Sequence, residues 1–423
     1  DLIRRMFARL RHRLRQVFAA EYCPIFICWN PFREPTPAEQ IRCLASRHQF
    51  RPHAWWLRWL VKTEMFAIWP LRALVLTVQL NRKFGAAVVA STGKSRLRQG
   101  TEQTALAIST SLPPRAYYQY ALYLDERRCL SADYVHNHER ASLSGYLDKY
   151  VRTDAIHDKE LFGRECVRHD LPTVPILAVC RDGQMHVVGE ATGNSLPPID
   201  VFVKPARGYR GENVQSWRYV GGGRYATNPG NDLPVAELIA ELCEVSSEKT
   251  YLIQPCLENH VQIADLSNGS LATVRMVTGR YPSGAVELIA ATWKMPIGQA
   301  ITSTHGLKSP VDLATGTLGS ACRYQAVDRL YKTHPLTGAT ITGRSLPDWT
   351  CAVRLAKSAH ATFPHHAFFG WDIALTAAGP LLLEGNLGWD VVTVQKPQRL
   401  TLGQTEFIDV CLAHLESHLQ TGL

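Results

Sequence analysis

Two short apolar segments near the C-terminus, Phe369-Gly-Trp-Asp372-Ile-Ala-Leu-Thr376 and Pro380-Leu-Leu-Leu-Glu384-Gly-Asn386, read as paired strands. Ala377-Ala378-Gly379 between them puts Gly where a hairpin needs a left-handed residue. A three-residue link sets Thr376 opposite Pro380 and so Asp372 opposite Glu384, with Asn386 on the same face. Opposed carboxylates have Cβ atoms roughly 5 Å apart and repel. In an apolar hairpin they require a cation between them. Oxygen ligands from Asp, Glu and Asn suit Mg²⁺, which completes its shell with phosphates. The expectation is a magnesium–nucleotide site on Asp372, Glu384 and Asn386.

At 423 residues the chain can bury a large core in two or three domains. Its net charge of +9 is modest, and much of it falls among Arg4, Arg5, Arg9, Arg11, Arg13 and Arg15. That basic segment is read as a solvated helix face; a membrane surface, an acidic partner or nucleic acid is the alternative. Eleven cysteines without CxxC spacing point to buried free thiols in a reducing cytosol. The start of the chain lacks the pattern of a signal peptide. The apolar stretch at 55–80 contains Arg58, Lys62, Glu64, Arg72 and Pro70, too much polarity for a membrane span. An amphipathic helix pair packed in the core is expected there. Its four Trp residues keep a peripheral membrane contact as the alternative.

Helical spacing dominates residues 1–145, at 7–18, 55–80 and 117–124, with a Pro-rich irregular run at 23–37. Beyond 146, short strands alternate with turns and helices. Strands are expected at 176–180 and 185–188, 201–204, 251–254, 271–278 and 286–295. Helices are expected up to Glu244, with Asn231 or Asp232 as cap, and at 349–361 and 405–419. The mixture is α+β.

Several residues in this region carry chemistry. Lys204 ends a strand before Pro205-Ala-Arg207-Gly208-Tyr-Arg-Gly211, a loop whose glycines and cations suit phosphate; a solvated basic turn is the alternative. Gln254-Pro255 ends an apolar strand that suits an adenine edge. Arg275 lies mid-strand among apolar residues, where it needs an anion: a phosphoryl group, an acyl phosphate or a structural carboxylate. No Walker A motif and no G-x-S-x-G is present. His136, His138, His365 and His366 lack metal-ligand spacing.

In order along residues 148–396, these segments resemble an ATP-grasp domain, nearest to the sugar-transfer-associated group. Asp158-Lys159-Glu-Leu-Phe162 followed by His169-Asp-Leu-Pro172-Thr-Val-Pro175, Lys204 to Gly211, Gln254 to His260, Thr273-Val-Arg275, Gly370-Trp-Asp372 and Glu384-Gly-Asn386 carry the resemblance. Residues 1–145 show a weaker likeness, around Trp69-Pro70-Leu71 and Tyr117-Tyr118.

The resemblance implies an ATP-grasp domain of two α/β subdomains clasping ATP, at 146–255 with a glycine-rich lid and at 256–423 with the metal site. A mainly helical region, 1–145, precedes it. Lys159 and Lys204 would hold the α- and β-phosphates beneath a lid at Gly208 and Gly211. Gln254, Pro255, Cys256 and Asn259 would line the adenine. Asp372, Glu384 and Asn386 would bind Mg²⁺. Arg275 would stabilise the transferred phosphoryl or acyl phosphate, with Lys294 as second cation and Arg207 or Arg280 clamping a substrate carboxylate. The chain departs from the family at Ser309-Pro-Val-Asp312-Leu-Ala-Thr-Gly316-Thr-Leu-Gly319, which leaves acceptor recognition unassigned. The implied activity is an ATP- and Mg-dependent carboxylate–amine ligase acting through an acyl phosphate on a sugar or peptide-like acceptor. A phosphotransferase acting on a hydroxyl, or a non-catalytic nucleotide-binding module of a glycan-assembly complex, is the alternative. No nucleic-acid partner is implied.

Overall fold

The computed structural model describes residues 34–49, 55–148, 154–188, 195–208, 212–228, 231–297, 306–324, 327 and 329–421. The expected helix at 7–18 and most of the Pro-rich run lie outside them. The chain divides into two compact units, one of residues 1–146, 325–329 and 399–408, the other of residues 147–324, 330–398 and 409–423.

The first unit is helical: α1 (Pro37–Gln49), α2 (Trp55–Thr92), α3 (Arg96–Ser109) and α4 (Asn137–Leu147), with shorter turns between. A capping box starts α1, Glu39 N donating to Thr36 Oγ1 and Thr36 N to Glu39 Oε2. The expected helix pair at 55–80 is instead the single helix α2, running through Pro70. Pro70 removes one backbone hydrogen bond, which flanking residues of high helix propensity outweigh. Trp69, Ala73, Thr77 and Leu80 are buried, and Trp69 Nε1 donates to Ala107 O. Leu71, Leu74, Val75 and Val78 are exposed. The segment Ala67–Thr92 is long and apolar enough to cross a membrane, because it lies beyond Arg58, Lys62 and Glu64. At 117–124 only Pro114–Gln119 is helical; Ala121 takes a left-handed φ of 56°. Buried Arg42 is held by Glu139 at 2.7 Å, and Glu139 also accepts from His136 N.

The second unit contains two antiparallel seven-stranded sheets. The first runs β2 (Gln184–Val187), β1 (Ala178–Arg181), β7 (Tyr251–Pro255), β3 (Val201–Pro205), β4 (Gln215–Gly221), β5 (Arg224–Asn228), β6 (Asn231–Pro234). The second runs β12 (Leu330–Tyr331), β11 (Ala321–Arg323), β10 (Leu307–Pro310), β9 (Val286–Met295), β8 (Thr273–Arg280), β13 (Phe368–Thr376), β14 (Gly379–Asn386). Its helices are α5 (Lys159–Arg168), α6 (Val235–Val245), α7 (Trp349–Thr362), α8 (Val391–Gln398) and α9 (Glu406–Thr421), the start of α9 falling in the first unit. Asn231 and Asp232 do not cap α6. They form β6, where Asp232 pairs with Arg224, and Pro234 takes the cap position.

Each sheet packs an apolar face on a helix. Leu238 and Leu242 of α6 meet Val201, Val203, Ala178 and Ile253. Ala352, Leu355 and Ala359 of α7 meet Val274, Met276, Trp293, Phe369 and Trp371. A buried polar chain crosses the second core. Trp371 Nε1 donates to Thr278 Oγ1 at 2.8 Å, Thr278 Oγ1 lies 2.7 Å from His360 Nδ1, and His360 Nε2 lies 3.0 Å from His366 O. The His366 carbonyl can only accept, so the His360 ring carries its proton on Nε2, and with that ring neutral the Thr278 hydroxyl donates to Nδ1 while accepting from the indole. Burial pushes the His360 pKa down to about 4, which keeps that ring neutral.

Trp389 lies across Gly370 on the opposite face. A Cβ there would sit 2.6 Å from Trp389 Cβ and 3.3 Å from Arg275 Cδ. Gly370→Ala is expected to lower unfolding free energy by about 1–3 kcal/mol through overpacking, read as a fall in the urea midpoint at unchanged slope.

Candidate functional site

The site is built on the face of the second sheet turned away from α7. The turn between β13 and β14 is tighter than the sequence suggests: Thr376 pairs with Gly379, which carries a φ of 103°. That register alone would put Leu383 opposite Asp372. A bulge between Asp372 and Ile373 absorbs one residue, and Asp372 faces Glu384 after all, with Asn386 opposite Gly370. On the neighbouring strand Arg275 stands directly across from Asp372, and on β9 Lys294 stands across from Thr273.

The cation that opposed carboxylates require is supplied by the protein itself. Arg275 Nε donates to Asp372 Oδ1 at 2.8 Å and Nη2 to Oδ2 at 2.7 Å, a bidentate fork. Lys294 Nζ donates to Oδ1 at 2.7 Å. Asp372 is only 5% exposed. Burial alone would raise its pKa, but Arg275 and Lys294 hold it well below the usual carboxylate range. Among the described contacts Arg275 uses two of its five N–H groups, and Lys294 one of three. The remainder are free to address an anion.

Glu384 and Asn386 sit side by side, Asn386 Nδ2 donating to Glu384 Oε1 at 3.2 Å, which leaves the Asn386 carbonyl oxygen clear. Asp372 Oδ2 accepts only from Arg275 and retains a lone pair. The donors are all oxygen, which suits Mg²⁺ with phosphates completing its shell. Glu384 and Asn386 fit that ion directly; Asp372 fits through Oδ2 alone. Among the described residues no group of three or more His, Cys, Asp or Glu side chains is placed to hold a metal, so phosphate oxygens would have to complete the shell.

Two lysines reach this edge from other elements. The segment before β1 is pinned to β14: Thr173 Oγ1 donates to Leu382 O, and Leu382 N to Pro172 O. This carries α5, capped by Asp158, toward the metal-type cluster. Lys159 N bonds Ala206 O, and Lys159 Nζ donates to Gly208 O at 3.0 Å. Lys204 alternates outward from buried Val201 and Val203. Burial pushes its pKa down to about 8, with Lys159 adding to the shift and Glu384 opposing it. Lys159, Lys204 and Glu384 therefore share one electrostatic neighbourhood. Gly211 lies outside the described residues.

Other expected contacts turn inward. Gln254 Nε2 donates to Val174 O and tethers a loop. The Asn259 amide donates to Ser267 Oγ and Ser270 O and accepts from Ala272 N, so it fixes the approach to β8. Pro255 and Cys256 follow on the β7 edge, where Cys256 N bonds Asp200 O. Arg207 pairs with Asp158 on the surface, and Arg280 Nη1 donates to Pro364 O from the other sheet face. Neither arginine is a clamp beside Arg275. Missed in the sequence were buried Lys308 on β10 and Asp390, which caps α8 through Thr393 N and Val392 N. Lys308 is paired with Lys294 only through a strand of four residues, too short to show alternation.

The family described as sugar-transfer associated ATP-grasp matches residues 138–405. Among curated proteins nothing matches. Of solved structures, the ADP complex of PurK, an N5-carboxyaminoimidazole ribonucleotide synthetase, is similar at 11% identity over 55% of this chain and 45% of its own, with a TM-score of 0.32. An L-amino acid ligase from Bacillus licheniformis is similar at 10% identity over 64% of this chain and 53% of its own, TM-score 0.35. VanG D-Ala:D-Ser ligase from Enterococcus faecalis is similar at 11% identity over 61% of each chain, TM-score 0.34. The chain spans about half the length of the first two structures.

Removing the charge on Asp372 leaves two buried cations uncompensated. Asp372→Asn is expected to cost about 3–5 kcal/mol of stability, measured by urea unfolding followed through tryptophan fluorescence.

Proposed function

The chain belongs to the sugar-transfer associated ATP-grasp family, and from that premise we propose that it is an ATP- and Mg-dependent carboxylate–amine ligase. The observation that carries the reading is the Arg275–Asp372–Lys294 cluster beside Glu384 and Asn386, with Lys159 and Lys204 on its edge. In this reading a substrate carboxylate oxygen attacks the γ-phosphorus of ATP and ADP leaves. An amine then attacks the carbonyl carbon of the acyl phosphate, phosphate departs, and the amine loses a proton.

Lys204 and Lys159 would neutralise the phosphates, and the glycine-containing segment from Gly208 would close over them and exclude water. Glu384, Asn386 and Asp372 Oδ2 would hold Mg²⁺, which when bound would offset the phosphate charge. Arg275 would turn its remaining N–H groups to the acyl phosphate, held in aim by the fork to Asp372. Lys294 would add a second donor from the next strand but one. The backbone of β7 from Gln254 to Cys256 would border the base, since the Gln254 side chain is engaged elsewhere. Residues 146–255 and 256–423 would form the two halves around the nucleotide.

The test is hydroxylamine trapping. With ATP, Mg²⁺ and a panel of amino acids and sugar acids, the enzyme should yield a hydroxamate. ADP release with no hydroxamate from any acid would sink the ligase reading and favour transfer to a hydroxyl. Arg275→Lys keeps a cation on Asp372 but loses the fork, and hydroxamate formation should fall by roughly two orders of magnitude.

A pH dependence follows from Lys204. It is charged below about pH 8 and neutral above, and only the charged form assists phosphate binding. Mg-ATP affinity should therefore fall as pH rises through 8, becoming about tenfold weaker at pH 9 than at pH 7. Lys204→Arg should flatten the profile measured by titration calorimetry.

A further inference from the structure

The helical unit carries a surface that the ligase reading does not use. On α2, Leu71, Val75, Val78, Arg82, Ala86 and Val89 are all exposed, and their spacings of four, three, four, four and three residues put them on one stripe of the helix. At 1.5 Å per residue the stripe is about 27 Å long. Leu74 widens it beside Val75 and Val78. Leu97, the second residue of α3, is 80% exposed, and Trp56 and Trp59 are exposed nearer the start of α2. Single apolar residues at a surface need no explanation, but a continuous stripe of this length does.

The other side of α2 is occupied. Trp69, Ala73, Thr77, Leu80 and Val88 are buried there. Gln99 Nε2 donates to Gly85 O, and Thr104 Oγ1 lies 3.5 Å from Thr77 Oγ1. Helix α3 therefore packs along α2 and brings with it Glu102, which pairs with Lys94, Arg98 and Arg128.

Charge selects the occupant of the open side. Residues 65–101 contain six Lys or Arg and no Asp or Glu. Arg82, Lys83 and Arg96 are exposed, and Asn81 Nδ2 donates to Arg96 O at 2.7 Å, which sets Arg96 near the other two. Among the described contacts none of these three meets a carboxylate; Lys83 Nζ lies 5.1 Å from the centre of the Phe84 ring. Arg82 falls near the middle of the stripe, so a second copy docked about a two-fold axis would bring two like charges together. An anionic bilayer meets both demands. Its acyl boundary takes the aliphatic side chains, and its headgroups take cations that extend on apolar stems. Trp side chains favour the same boundary. Crossing the bilayer is a different matter, because α3 would carry the Glu102–Lys94–Arg128 cluster into hydrocarbon.

We propose that the stripe of α2 centred on Val78 lies flat on an anionic lipid surface, with Arg82, Lys83 and Arg96 at the headgroups. This goes beyond the ligase reading and does not depend on it.

The experiment is flotation of the full chain with vesicles of phosphatidylcholine, alone or with about one-third phosphatidylserine. The chain is expected to float with the phosphatidylserine vesicles, to bind roughly a hundredfold more weakly without them, and to be released as salt rises. Arg82→Glu with Lys83→Glu should erase the preference for phosphatidylserine. Val75→Glu with Val78→Glu should abolish flotation altogether. All four positions are exposed, so the urea midpoint and Mg-ATP affinity of both double variants should match the wild type. Absence of flotation, indifference to phosphatidylserine, or unchanged flotation of the Val75→Glu, Val78→Glu chain would overturn the proposal. So would a lowered midpoint in that chain, which would mean that the stripe is packed within the fold. Three further results would assign the stripe elsewhere and equally overturn it. Retention on vesicles through an alkaline carbonate wash means a spanning helix. A dimer that the two valine substitutions disperse, without flotation, means a second copy. Retention on immobilised polyglutamate, again without flotation, means an acidic polypeptide.

Discussion

The Arg275–Asp372–Lys294 cluster is the constraint around which the second unit is arranged. A carboxylate that is 5% exposed is tolerable only with cations at hydrogen-bonding distance, and the strand order β9-β8-β13 delivers one from the neighbouring strand and one from the strand beyond it. The fork from Arg275 fixes a planar group at the centre of the sheet face. The aromatic layer behind it, Trp371, Phe369 and Trp293, keeps the strands from shifting, and the Thr278–His360 chain anchors that layer to α7. Packing on one face thus sets the geometry of charge on the other.

The strands that carry this cluster were legible because alternation is strong where one face is an aromatic core and the other is polar. Asp372 opposite Glu384 follows from a three-residue link without a bulge; the structure has a tighter turn and a bulge, and the two differences cancel. Opposed carboxylates do require a cation, and at Asp372 the protein's own Arg275 and Lys294 meet that need. A guanidinium on the neighbouring strand but 97 residues away in sequence cannot be assigned from spacing. Strands β4 to β6 went unread because their glycines and polar residues give no clear period.

Amide side chains show the opposite limit. Gln254 and Asn259 flank the end of β7 and look like ligands for a base, yet both satisfy backbone groups of loops that would otherwise be stranded. Composition says that a polar group is needed at such a place; only coordinates say whether it serves the fold or a guest. The long helix α2 taught a similar lesson. Charges at its beginning and Pro70 within it argued for two pieces, but local propensity carried one helix through both.

The bulge at Leu383 has a consequence for how the hairpin can change over time. Without it, Glu384 would fall opposite Trp371 and point into aromatic packing, while Leu383 would take its place among the charges. The loop at the hairpin tip and the carboxylate near its base are therefore joined by one spare residue that can absorb a length error. A lineage could shorten or lengthen the tip by a single position, shift the slack along the strand, and keep its acidic pair in place.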